Sequence, residues 1–143
     1  MFFSAIVAAL AAFQATALPL THRIEVPAAD RSIIVDYSGR IETATDQRGI
    51  APPGRISSER CHWRAVLTVE RSVAGGAARR PVESDWSERG SVPGSCALAD
   101  TMIDREVATR FEAAHAALVA SAEADRTILL AERAALDQGA ADD

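Results

Sequence analysis

Three kinds of side chain in this sequence could do chemistry: clustered carboxylates, histidines and a pair of cysteines. Glu83, Asp85 and Glu88 stand in the run Glu83-Ser84-Asp85-Trp86-Ser87-Glu88. Alternate residues of a strand share a face, so this stretch could present paired carboxylates of the kind a glycosidase needs. A solvated edge strand produces the same letters. His22, His62 and His115 are far apart and form no HxH, HxxxH or HExxH pattern, so no metal site is expected. GxSxG, a P-loop and GxGxxG are all absent. Neither a serine nucleophile nor a nucleotide cofactor is therefore expected. The expectation is no catalytic residue and no cofactor, with a small hydrolase using the acids of 83–88 as the alternative.

Cys61 and Cys96 take their meaning from the N-terminus. Residues 1–20 carry no charged side chain, and an apolar segment leads to Ala15-Thr16-Ala17, the small-x-small pattern read by signal peptidase. Residues 1–17 are expected to be a signal peptide cut after Ala17. The stretch before the apolar segment has no Lys or Arg, so an uncleaved membrane anchor formed by residues 1–20 is the alternative. Export to a periplasmic or extracellular space favours a Cys61–Cys96 disulfide.

The elements that must position these groups divide at Cys96. Residues 18–96 hold 11 Arg against 10 acids, whereas residues 97–143 hold 4 Arg against 10 acids. Seven of the eight glycines precede Cys96, so 18–96 reads as β-rich and 97–137 as helical within one domain. Ile24 and Val26 predict a short strand ended by Pro27. Ile33, Val35 and Tyr37 predict a second, continued after a bulge at Gly39. Cys61, Trp63, Ala65, Leu67 and Val69 mark the core face of a third. Gly75-Gly76 predicts a turn, and Val82, Ser84 and Trp86 a returning edge strand. Ala44–Ser58 has no periodicity and reads as a long loop, pinned by Ile50 and Ile56.

Asp100 or Thr101 should cap a helix whose apolar stripe runs through Ile103, Val107, Phe111, Ala114, Leu118 and Ala122. Asp125 lands on that stripe, which resumes at Leu129 and Leu136. Unbroken to Asp137, the helix would be about 55 Å long, against a domain diameter of roughly 35 Å. It must therefore bend near Glu123–Thr127 or project, and the expectation is a loosely held segment from Thr127 to Leu136. Gly139 should end it, leaving 138–143 as a disordered tail.

The expected fold is α+β, a small antiparallel sheet packed on a long C-terminal helix. The 20 acids outnumber the 15 basic residues, all Arg, which argues against nucleic-acid binding. Arg79 and Arg80 near a hairpin tip, Trp86 as an exposed ring, and Leu129, Leu130 and Leu136 on the helix are the candidate partner contacts. The functional expectation is a non-enzymatic exported envelope module that binds a protein partner or a second copy of itself. Membrane attachment is expected only if the N-terminal segment stays uncut.

Overall fold

The computed structural model describes residues 14–141, apart from Ala29 and Gly75. The architecture is α+β. Five antiparallel strands form one sheet: β1 (Gln14–Pro27), β2 (Ser32–Arg48), β3 (Arg60–Val73), β4 (Arg79–Val82) and β5 (Ser87–Pro93). The order is β1-β2-β3, with β4 and β5 both pairing with β3. A 3-10 turn (Cys96–Leu98) leads into α1 (Asp100–Ala108) and α2 (Phe111–Ala141). Residues 1–13 lie outside the described part, and most of the expected signal segment with them. Gln14–Thr16 pair with Ile41–Thr43 at the start of β1, so the expected cut after Ala17 falls within this strand.

Alternation explains the sheet. Ile33, Val35, Tyr37 and Ile41 on β2, and Cys61, Trp63, Ala65, Leu67 and Val69 on β3, are buried on the face that meets the helices. The opposite face is mostly polar, with Ile34 and Val66 among its apolar residues, as in a sheet covered on one side. Two glycines make room for large side chains. A Cβ on Gly39 would sit 3.1 Å from Leu67, 3.2 Å from Leu20 and 3.5 Å from Leu118, which crosses the sheet there. A Cβ on Gly90 would come within 2.5 Å of the Trp63 ring, so the indole lies against bare β5 backbone.

Several elements differ from expectation. Gly39 is in register with both neighbours, and the irregularity lies on β1 between Thr16 and Leu20. Close packing, not a bulge, is what this glycine serves. The stretch from Ala44 to Arg48 extends β2, because its backbone pairs with Arg60–Arg64 although its side chains do not alternate in polarity. Only the remainder is loop, turned by Gly49 at φ 90°, and Ile50 and Ile56 do not pin it: Ile56 is 96% exposed. The expected returning strand is split. Arg79–Val82 and Ser87–Pro93 pair with β3, while 83–86 carry no strand pairing except the Trp86 carbonyl, which accepts from the Leu67 amide.

The helical layer also breaks at an unexpected place. The Thr109 hydroxyl donates to the Glu106 carbonyl at 2.6 Å. Such back-bonding competes with the helical ladder, and α1 ends there. α2 then runs unbroken through Glu123–Thr127. It also continues through Gly139 to Ala141, since one glycine costs only about 1 kcal/mol in an alanine-rich helix. Neither Asp100 nor Thr101 caps α1. The side-chain cap is Ser95, which accepts from the Ala97 amide and opens the preceding 3-10 turn.

Candidate functional site

Cys61 at the start of β3 and Cys96 in the 3-10 turn form the expected disulfide, with Cα atoms 4.8 Å apart. The bridge ties the sheet to the base of the helical layer. Gln47, at the end of β2, completes the junction. Its carbonyl oxygen accepts from the Cys96 amide at 3.0 Å, and its amide donates to Glu59 at 2.8 Å.

The stripe of α2 buries Ala114, Leu118, Ala122 and Leu129 against β1, β2 and β3. Between Ala122 and Leu129, Asp125 breaks the apolar pattern and meets a buried cation. Arg71, on the core face of β3, is only 6% exposed and donates to both Asp125 oxygens at 2.9 Å. The Tyr37 hydroxyl donates to Asp125 Oδ2, also at 2.9 Å. A second Arg71 nitrogen donates to Glu132 at 2.8 Å, and Arg80 stands 3.9 Å from the other Glu132 oxygen. Burial opposes the charge on Arg71, but the bonds and charges of Asp125 and Glu132 outweigh it and hold the guanidinium above its ordinary value. Burial and the bond to Asp125 push the Tyr37 phenol well above its ordinary value. This network ties α2 to β2 and β3 beyond Ala122.

Sequence reading placed Asp125 on the stripe but missed its partners. Tyr37 and Arg71 share the alternation of their strands with the apolar core positions, so each could have been read as a buried polar residue awaiting a partner.

A groove of about 300 Å³ opens between the β1–β2 turn and the far end of α2. Val26, Ile33, Leu129 and Leu130 supply its apolar wall, and Arg31 and Asp137 its charged rim. Leu129 is buried at 6% exposure and so corrects the expectation that it is free for a partner. It also holds the start of the segment expected to be loose. Leu130 is exposed beside the groove, and Leu136 is 68% exposed. Ile128, which sequence reading did not single out, is exposed as well.

The other expected contacts are separated. Arg79 faces outward, 3.7 Å from Glu70, while Arg80 faces the helix. Adjacent residues of a strand point to opposite faces, so the two do not form one basic tip. Trp86 is half-buried against the core rather than exposed, because the 83–86 connector lies over α2 beside Ala117, Ala120 and Ala124. Glu83 and Asp85 line the same shallow groove of about 380 Å³, and Glu88 lies across from Ala65. Among the described residues none of these three carboxylates takes part in a hydrogen bond or ion pair. Among the described residues, too, no cluster of His, Cys, Asp and Glu could hold a metal ion. Compared with known protein families, curated proteins and solved structures, the chain matches none.

Proposed function

We propose that this protein is an exported, non-enzymatic module that associates with a second copy of itself through the far end of α2. One observation carries the reading: the apolar stripe outruns the sheet. Leu129 is the last stripe residue with strands beneath it, and Leu136, seven residues on and on the same helical face, is exposed. Ile128 and Leu130 widen this uncovered surface. The charges around it are of both signs, with Glu123, Arg126, Arg133 and Asp137 along the same half of the helix. An antiparallel second copy that crosses between Leu130 and Arg133 would set Arg126 of each chain against Asp137 of the other, a self-complementary pairing of the kind a two-fold interface requires. The disulfide supports export, since such bridges persist in oxidising compartments. Among the described residues no helix is long and apolar enough to cross a membrane.

Light scattering on the purified full chain over a concentration series is expected to show a dimer. Leu136→Glu should shift it to monomer with the fold intact by circular dichroism, and should remove the concentration dependence of the melting point. A monomer at every concentration overturns self-association. Two reactive thiols in protein recovered from its native cell would overturn export.

A further inference from the structure

The outer face of the sheet, opposite the helices, carries an imbalance of charge at one end. Arg23, Arg40, Arg48 and Arg79 on this face each lie 2.6–3.8 Å from a carboxylate. Arg60, Arg64 and Arg89 do not: among the described residues none of the three meets an acid. Two of them are immediate neighbours. Arg64 and Arg89 stand directly opposite each other across β3 and β5, and all three are exposed. Arg60 lies two outward positions away on β3, about 13 Å along the strand and beyond His62, and its side chain is turned toward β5, where it donates to Ser91 Oγ at 2.9 and 3.2 Å. On the far side of Arg64 the paired residue is Ala44, which offers no counter-charge.

Like charges directly opposite on a sheet are destabilising. Here the repulsion stands within a protein whose net charge is −5, on a face that no element covers among the described residues. We propose that Arg60, Arg64 and Arg89 form a binding site for a phosphomonoester-type oxyanion, carried by a free solute or by a lipid headgroup. Guanidinium forks match tetrahedral oxyanions by paired N–H···O bonds. A dianion with three equivalent oxygens can engage the forks of Arg64 and Arg89 together and still accept from the Arg60 nitrogen that Ser91 leaves free, whereas a single carboxylate has two oxygens and one charge. The site is remote from the far end of α2 and independent of the dimer proposed above.

The test titrates the disulfide-intact full chain with inorganic phosphate at low ionic strength, where surface charges are least screened. Calorimetry is expected to show saturable one-to-one binding, and thermal unfolding a raised midpoint. Arg64→Gln and Arg89→Gln should each weaken binding about tenfold or more, the loss expected of a charge-assisted hydrogen bond. Arg23→Gln should leave it unchanged. Without phosphate, Arg89→Gln should melt above the parent, because the facing charge is gone. Sedimentation with phosphatidylcholine vesicles, with and without phosphatidate, separates the sources. Capture by phosphatidate that Arg64→Gln abolishes identifies the headgroup, and phosphate binding without capture identifies a solute. Absence of saturable phosphate binding, or an equal loss in Arg23→Gln, overturns the site.

Discussion

Asp125 is the residue on which the helix–sheet contact turns. A carboxylate on an apolar stripe is costly unless paired, and Arg71 and Tyr37 complete its bonding. Arg71→Met would leave Asp125 buried without its cation, and a loss of about 3–5 kcal/mol is expected in urea unfolding. Replacing the pair together, as Arg71→Met with Asp125→Leu, should recover most of that loss, because apolar side chains of similar volume need no counter-charge. Tyr37 offers a spectroscopic test, since it is the one tyrosine in the chain. Its folded pKa lies above the unfolded value near 10, so its stabilising effect is complete below pH 10. The effect declines as pH rises beyond 10, where the unfolded chain releases the phenol proton and the folded one keeps it. Phenolate absorbance is therefore expected near pH 10 in denaturant and at distinctly higher pH in the native protein. Coincident titrations would show that the phenol is not held by Asp125.

Among the elements, the junction of β3 with the 3-10 turn has the largest identifiable covalent contribution. The cysteines are 35 residues apart, and closing such a loop restricts the unfolded chain by about 3–4 kcal/mol on the entropy account. Cys61→Ala with Cys96→Ala should lower stability by that order, and a reductant should do the same to the parent. Equal unfolding midpoints with and without reductant would count against it. Strand β3 was legible because its buried positions alternate without interruption from Cys61 to Val69. Strand β5 was not: Glu88 and Gly90 stand at its inward positions, and the glycine is there for the Trp63 ring. The end of β2 was missed for a related reason. From Ala44 to Arg48 both faces are exposed, so pairing with β3 leaves no mark on side-chain polarity.

At the scale of the whole molecule, one face of the sheet is occupied by helices and, among the described residues, the other is open. The helical part holds most of the acidic surplus, while the uncompensated arginines gather on the open face. Among the described residues, a sheet covered on one side and a helix that extends past it leave the far end of α2 and the arginine patch without partners. The first is apolar and the second cationic, so the dimer and the phosphate site should respond to different variants. Leu136→Glu is expected to change the mass in solution and leave phosphate binding intact, while Arg64→Gln should do the reverse. Loss of both properties in either single variant would mean that the two surfaces are coupled through the fold.

By itself the sequence determined the α+β class, the division at Cys96, the pairing of the two cysteines and the core face of β3. These follow from periodicity, glycine punctuation and cysteine number, which act over short distances along the chain. Tertiary structure alone decided which cation answers Asp125, which leucine is covered, why Gly39 and Gly90 have no side chain, and that Arg79 and Arg80 part company while Arg64 and Arg89 meet. Each of those depends on strand register and on the path of α2 across the sheet, quantities set by the sum of many weak contacts between residues far apart in the chain.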